Sequence, residues 1–312
     1  MQVRITLMVA ALVLCCLAYL SLGARGDWSF VLAFRASKLA ALLLVSFALS
    51  WATVIFQTIT GSRILTPAIM GFDALFLLLL SLLVWSIGGQ AYQALPVQGL
   101  MAANAALLCS AALILFKVVL RAGRDNMMQM ILTGVVLSVL FRSLTSYVLR
   151  VIDPNEYAVV QAASFARFSN IDTSLLTLAA GLSLVAGLGV WHLRHRLDVT
   201  SLGPVLSTSL GEPPQRLQWQ VLILISILVS VSTALVGPVA FFGLLVTSLT
   251  YLIIPSSRHA DILPAAALIA GIILVGGQTM MERVLDLNTP LSVVVEFLGG
   301  LVFLFLLLRS LR

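Results

Sequence analysis

The chain has 312 residues, of which 61% are hydrophobic and 10% are charged, and its formal net charge is +6. Soluble globular domains are only about 45–50% apolar and about 25% charged, so this composition excludes an ordinary soluble domain. The cations are scattered at the ends of apolar runs, which excludes the basic surface patch of a nucleic-acid-binding protein. Apolar runs of about 18 residues or more recur along the whole length, as is typical of transmembrane helices.

These runs predict an all-α integral membrane protein with about ten transmembrane helices, because backbone polar groups in lipid must be bonded within their own segment. The first run follows Arg4, as in a signal peptide, but its length favours a retained first helix. No segment is long enough for a separate soluble domain, so residues 1–312 are predicted to form a single transmembrane domain. The predicted helices cover approximately 5–22, 39–60, 71–88, 97–120, 127–149, 173–193, 217–236, 240–253, 262–281 and 290–309.

The placement of Lys and Arg predicts the orientation, because cytoplasmic loops carry an excess of these residues. With the N-terminus in the cytoplasm, eleven of the 18 Lys and Arg residues fall inside and seven fall outside. Both termini are therefore predicted to be cytoplasmic, and so is the loop between the second and third helices. In that loop Pro67 ends the second helix and Gly71 allows close packing. Asp73 suits the positive end of the third helix and lies within reach of Arg63.

Two connections are longer than simple turns. The external one, residues 151–172, contains Asp153-Pro154-Asn155, which predicts the start of a short helix over about 155–166. The cytoplasmic one, with a segment at about 197–216, holds two short stretches that each end in Leu-Gly. This segment is either an idle linker or a docking surface for a cytoplasmic partner. Docking is favoured, because its Leu and Val side chains would otherwise face water.

Enzyme signatures are missing from the sequence. The Walker A pattern does not occur, so an ATPase that powered transport would be another chain. His192, His195 and His259 lie at helix ends and are interpreted as satisfied or solvated residues rather than metal ligands. The three cysteines lie in apolar runs and are interpreted as buried thiols. Neither catalytic residues nor a metal or cofactor is predicted.

Polar residues inside apolar runs are costly in a membrane and need an explanation. Arg142, Ser146 and Arg150 repeat at i, i+4 and i+8, so they share one face of the fifth helix. They either snorkel and pair with neighbouring helices or form the polar wall of a pathway. Glu296, about a third of the way into the tenth helix, is either a structural partner for Arg142 or a pathway residue.

Arg35 and Lys38 form a pair at i, i+3 just before the second predicted helix. One interpretation is that they anchor the helix at the membrane interface. The other is a cationic platform for an acidic patch on a soluble partner, since charge steers docking.

Four stretches, taken together, resemble one known family. Their order and spacing are similar to those of the FecCD/BtuC-type permease subunits of type II ABC importers, which take up ferric siderophores, haem and cobalamin. The form RILTPAIMGFDAL most resembles the branch serving catecholate-type ferric siderophores. The four stretches are SRILTPAIMGFDAL (62–75), ILTGVVLSVLFRSLTSYVL (131–149), STSLGEPPQRLQ (207–218), and VGPVAFFGLLV (236–246) followed by NTPLSVVVEFLGGLVFLFLL (288–307).

The resemblance implies a BtuC-like fold in the bacterial cytoplasmic (inner) membrane, paired with an identical or homologous permease around a central path. It also implies ABC ATPase subunits, a periplasmic or lipid-anchored substrate-binding protein and alternating access. The implied ATPase-coupling residues are Ser201, Leu202, Gly203, Ser207, Thr208, Ser209, Leu210 and Gly211. The implied binding-protein contacts are Arg35, Lys38 and Arg283. The implied inner gate residues are Ser62, Arg63, Leu65, Asp125, Asn126, Met127 and Met128.

One stretch departs from the family pattern, because the family often reads Pro-His-Ile-Ala-Arg where this chain reads Thr-Ser-Leu-Thr-Tyr at 247–251. Three other functions compete with siderophore import. An importer permease for haem or cobalamin would share the fold. A secondary transporter would need carboxylates at mid-membrane in broken helices, and only Glu296 qualifies, because Asp73 is expected near a helix end. A membrane scaffold would leave the polar face of the fifth helix without a purpose.

Overall fold

In the computed structural model, the described residues are 2–22, 28–89, 92, 97–122, 127–164, 173–285 and 291–310. They form twelve α-helices and one π-helical turn, Met280–Val284. The helices are α1 (Gln2–Ser21), α2 (Trp28–Thr60), α3 (Phe72–Ile87), α4 (Val97–Ala122), α5 (Met127–Val151), α6 (Pro154–Ala163), α7 (Thr173–Thr200), α8 (Pro204–Ser209), α9 (Pro214–Val236), α10 (Phe242–Ile253), α11 (His259–Thr279) and α12 (Leu291–Ser310).

The ten predicted transmembrane helices correspond to α1–α5, α7 and α9–α12. Seven of them are long and apolar enough to cross a membrane, and α3, α10 and part of α12 are shorter apolar helices. The second helix begins earlier than predicted, at Trp28, so Arg35 and Lys38 lie within α2 rather than before it. The short α6 starts at Pro154 and is capped by Asp153, whose side chain accepts a hydrogen bond from the Asn155 N–H. The chain is thus an all-helical, multi-pass membrane protein.

Helices α2 and α9 form the centre of the bundle. Their spans are 78% and 67% buried, compared with 11% for α1 and 17% for α5. Around them, α2 packs against α7, α9 and α11, and α9 also packs against α4. Because lipid gives helices no hydrophobic drive to associate, close approach depends on small residues. A side chain at Gly187 would collide with Phe47, and one at Gly189 would collide with Leu224.

The bundle has two ends that can be named by their short helices. At the α8 end, α2, α7 and α10 finish and α1, α9 and α11 begin. Contacts confirm this grouping, because Arg4 Nη1 donates a hydrogen bond to the Ile253 carbonyl at 2.6 Å, and Thr58 touches His259. At the α6 end, α6 meets the end of α3, where the Gly89 N–H donates to Glu156 Oε1 at 3.0 Å.

From the sequence we expected the loop between α2 and α3 to stay at the α8 end. In the structure it enters the bundle instead. Met70 packs against Gly134 and Gly71 against Ser138, and Ser138 lies about 16 Å along α5 at 1.5 Å per residue. The loop satisfies its own backbone while it enters the bundle, since the Met70 N–H donates to the Thr66 carbonyl. Gly71 has φ +100°, which explains why glycine stands at the turn into α3.

A second break of the same kind separates α9 from α10. Gly237, at φ +99°, ends α9 and is followed by Pro238. Phe241 then packs against Gly299, about 12 Å along α12. Both breaks therefore reach the middle of the bundle, and together they line a small cavity of about 20 Å³. Residues from both breaks line this cavity, including Thr66, Pro67, Asp73, Val239 and Ala240.

Candidate functional site

The coupling segment, residues 197–216, is held against α7 by the ion pair between Arg196 and Glu212. Arg196 Nε lies 3.0 Å from both Glu212 oxygens, and Nη2 lies 2.5 Å from Oε1. These hydrogen bonds favour the charged carboxylate and so lower the pKa of Glu212. The Ser207 hydroxyl donates to the Glu212 carbonyl at 2.8 Å. Together these bonds fix α8 against the end of α7.

An apolar face of the coupling segment is exposed. Leu202, Val205, Leu206 and Leu210 are each more than half exposed, with Val205 at 77%. Four of the residues that the family resemblance implies for contact with an ATPase are also exposed, and Gly203 is partly exposed. Those four are Ser201, Thr208, Ser209 and Gly211. Ser207 differs from the rest because it is fully buried, so its place is in the support of α8 and not on the exposed face.

Asp198, near the end of α7, ties the coupling segment to α11. Its Oδ1 accepts hydrogen bonds from the His259 backbone N–H at 2.7 Å and from His259 Nδ1 at 2.6 Å. The N-cap of α11, Arg258, contributes no side-chain cap, so Asp198 supplies it from another helix. Sequence reasoning missed this role of His259, because 61 residues separate the two partners. The signal that the sequence offered was Asp198 itself, an acidic residue at the start of the coupling segment.

The predicted gate residues at the start of the α2–α3 loop differ in exposure. Ser62 and Leu65 are buried, while Arg63 is exposed and its guanidinium carbon lies 4.8 Å from the centre of the Tyr251 ring. Among the described residues, Arg63 has no ion pair with Asp73, contrary to expectation. Asp73 instead lies deeper, where the loop enters the bundle. Asp125 and Asn126 fall outside the described residues.

Of the remaining predicted gate and pathway residues, Arg142 and Glu296 lie near the two breaks, and Met127 and Met128 do not. Met127 and Met128 open α5, although their side chains are not described. Asp73 lies close enough to Glu296 and Arg142 to interact with both electrostatically, and the Glu296 carboxylate accepts a hydrogen bond from the Ala240 N–H. No ion pair within 4.0 Å joins Arg142 to either carboxylate in the described part of the chain. The sequence suggested that Asp73 lies near an end of the bundle, but the structure has it in the middle.

The last third of α5 carries exposed polar residues, whereas the exposed residues of its first two thirds are mostly apolar. Arg142, Ser143, Ser146 and Arg150 are all exposed, among apolar neighbours such as Val139. An isolated helix with this face cannot rest against lipid without a large free-energy cost. Either these arginines reach the membrane interface with their long side chains, or this part of α5 meets protein or water instead of lipid.

The three cations assigned to docking have different environments at the α6 end. Arg35 is only 5% exposed, and its Nη1 donates to the carbonyls of Tyr19, Leu20 and Leu22 at 2.8 to 3.3 Å. The Lys38 ammonium lies 4.6 Å from the centre of the Phe34 ring. Arg283, in the π-helical turn, lies 3.9 Å from Glu282 and remains partly exposed. The exposed platform expected from Arg35 is therefore not present, because its guanidinium is used inside the bundle.

Comparison with known proteins gives matches over nearly the whole chain. Residues 3–309 match the model of the FecCD transport family. The petrobactin import system permease protein YclO of Bacillus subtilis (strain 168) is 38% identical over 309 residues, which cover 99% of this chain and 98% of that protein. The ferric enterobactin transport system permease protein FepD of Escherichia coli (strain K12) is 28% identical, over 92% of this chain and 84% of FepD.

Solved structures match the fold as well. A chain described as a metal-chelate type ABC transporter in an inward-facing conformation superposes with a TM-score of 0.80, at 20% identity over 98% of both chains. At that identity the likeness concerns the fold alone.

Proposed function

The chain belongs to the FecCD transport family, and we propose that it is the permease subunit of an ABC importer for a ferric siderophore. The cargo class is supported by relatives named for petrobactin and ferric enterobactin, which match this chain over 99% and 92% of its length. These names favour a ferric siderophore over haem or cobalamin. The catecholate-type branch remains the more specific form of the proposal.

The exposed polar face of α5 is the observation that carries the proposal. On α7, by contrast, the exposed face consists of Leu184, Val185 and Leu188, which suit contact with lipid. Arg142 and Ser146 on α5 need a different surrounding, because polar groups in hydrocarbon are costly. A second permease subunit, identical or homologous, facing α5 across a wet central path would provide it. A path that is weakly polar and wide would release a bulky cargo that tight ligands would trap.

The two ends of the bundle would serve two soluble partners. The exposed apolar face of α8 would dock an ABC ATPase, which places the α8 end and both termini in the cytoplasm of a bacterium. A substrate-binding protein would then dock at the α6 end through Lys38 and Arg283, in agreement with charge-steered association. ATP-driven movement of the ATPase would open the path alternately to the two sides of the inner membrane. This subunit would supply no catalytic group.

The competing secondary-transport mechanism gains one feature from the structure. Asp73 and Glu296 lie at two helix breaks in the middle of the bundle, where ion-coupling carboxylates are found in such transporters. However, each carboxylate already serves the start of a half-helix. Asp73 lies in the first turn of α3, and Glu296 accepts from the Ala240 N–H before α10. Together with family membership, this favours the ABC mechanism.

Uptake into proteoliposomes tests the proposal. The importer would be assembled from this chain, its partner permease, the ATPase and the binding protein encoded near it. We expect radioactive iron to enter as ferric petrobactin or ferric enterobactin only when ATP and an ATPase competent in hydrolysis are present, while labelled cobalamin does not enter. Uptake by this chain alone, without ATPase, would contradict the proposal.

A further inference from the structure

A buried hydrogen-bond chain continues from the coupling segment to α2. The first link is the pair of bonds from His259 to Asp198. The second link is the other ring nitrogen, Nε2, which lies 2.8 Å from Thr58 Oγ1. The His259 side chain is 3% exposed, so its ring has protein partners on both sides. Capping α11 needs only the bonds to Asp198, and the bond to Thr58 adds a connection to a third helix.

The connection holds in either charge state of the ring. Because Nδ1 faces a carboxylate, it carries a hydrogen whether His259 is neutral or cationic. When Nε2 also carries a hydrogen, it donates to Thr58 Oγ1, whose own hydrogen goes to the Val54 carbonyl at 2.9 Å. When Nε2 is bare, the Thr58 hydroxyl turns and donates to it. Asp198, His259 and Thr58 therefore stay hydrogen-bonded in sequence.

The same turn of α2 also holds the start of the α2–α3 loop. Gln57, next to Thr58, donates through Nε2 to the Arg63 carbonyl at 2.8 Å and to Thr247 Oγ1 at 3.1 Å. The Ser62 N–H in turn donates to the Gln57 carbonyl at 3.2 Å. The last turn of α2 is thus bonded on one side to the coupling segment, through His259, and on the other side to loop 61–71. Gln57 is 3% exposed, so this route lies inside the protein.

We propose that His259 is a positioning residue for transport, which passes movement of the coupling segment to loop 61–71 through Thr58 and Gln57. The inference rests on the proposed function, because that function assigns an ATPase to the coupling segment and a gate to the loop. Hydrogen-bond networks and rigid helices can carry coupling between distant sites, and here the bonds of His259, Thr58 and Gln57 meet in the last turn of α2. Residues that touch neither cargo nor ATPase would then set how much iron moves per ATP.

Thr58→Val tests the inference most directly. Valine keeps the shape of threonine and lacks its hydroxyl, so the variant breaks the contact with Nε2 and leaves the bonds between His259 and Asp198 in place. In proteoliposomes holding the full importer, we expect iron uptake per ATP hydrolysed to fall about tenfold, a common size for coupling between two sites, while ATP hydrolysis changes less than about twofold. Thr58→Ser keeps the hydroxyl and should match the unmodified chain.

His259→Asn provides an independent variant. The asparagine amide can replace Nδ1 as a donor to Asp198 but cannot reach Thr58, so α11 keeps its cap. We expect the same loss of iron uptake per ATP as with Thr58→Val, an unchanged thermal midpoint, and no further loss when the two changes are combined. Additive losses in the double variant would mean that the two residues act separately, and would overturn the inference.

Two further outcomes separate this inference from the proposed function. If the unmodified importer takes up iron with ATP and Thr58→Val or His259→Asn keeps its ratio of iron to ATP, the inference is wrong and the function stands. An equal loss in Thr58→Ser and Thr58→Val would show that packing matters and the hydroxyl does not, which also overturns the inference. If the unmodified importer takes up no iron at all, the proposed function fails, and the inference loses its premise with it.

Discussion

Arg35 and Lys38 lie one helical turn apart, yet the structure gives their charges different tasks. The last carbonyls of a helix lack partners and carry the negative end of its dipole. Arg35 supplies both a donor and a positive charge to this end of α1, through Tyr19, Leu20 and Leu22. No such bond is formed by Lys38, whose ammonium lies over Phe34. Arg35 therefore holds α1 to α2, whereas Lys38 takes no part in that contact and is partly exposed.

The first prediction separates these two tasks. Arg35→Ala removes a charged donor from three carbonyls, so we expect the free energy of unfolding to fall by about 2 kcal/mol, a typical value for hydrogen bonds to charged groups. Lys38→Ala should leave stability unchanged within error and weaken binding of the substrate-binding protein at low salt. Thermal unfolding of the purified chain and binding titrations measure the two effects. A stability loss of the same size in both variants would contradict this division.

The coupling segment is a short element whose position depends on a few polar interactions. The helix α8 has only six residues, too few to be stable alone, so the pair between Arg196 and Glu212 and the bond from Ser207 must hold it. The pKa of Glu212 is lowered in the folded protein by the hydrogen bonds from Arg196. A lowered carboxyl pKa contributes stability that is complete above the ordinary Glu pKa and is lost as the pH falls through the lowered value.

The second prediction follows from this sign. At pH 7, Glu212→Gln should speed amide exchange in residues 205–211 by about threefold, the effect of a partly exposed ion pair. The unmodified chain should show the same loosening only at acid pH, below the ordinary Glu range, and the variant should lack this pH dependence. Gln220→Ala is the matched control, because it removes the bond from Arg196 Nη1 to Gln220 and leaves the ion pair between Arg196 and Glu212 intact. Faster exchange in the control alone would refute the role of Glu212.

The helices could be predicted from the sequence, whereas the depth of the two breaks could not. Apolar length alone indicates a membrane helix, because lipid leaves the backbone no other partner. Gly61, at φ +66°, and Gly237, at φ +99°, follow the last residues of α2 and α9, but they do not determine whether the next residues turn to the surface or into the bundle. That choice depends on small residues on other helices, since Met70 needs Gly134 and Phe241 needs Gly299. For the same reason the partners of His259 could not be predicted, because both lie on distant helices.

Across the whole molecule, the exposed surface divides into faces suited to lipid and faces suited to water or protein. The face of α7 around Leu188 is apolar, whereas α5 exposes Arg142 and Ser146 among its apolar residues. Contacts within one subunit do not explain this difference, because both faces are exposed in the isolated bundle. The proposed path shared with a second subunit would account for the difference, because the polar residues of α5 would meet water there while α7 meets lipid.

The third prediction concerns these two faces. Thiols react as thiolates, which form in water and not in hydrocarbon, so reaction with a polar maleimide reports a wet surface. In an importer whose Cys15, Cys16 and Cys109 are replaced by alanine, Ser146→Cys on α5 should react at least about tenfold faster than Leu188→Cys on α7. Both positions are exposed in the isolated chain, so exposure alone would give equal rates. Equal rates in the assembled importer would mean that α5 faces lipid, and the shared path would have to lie along another helix.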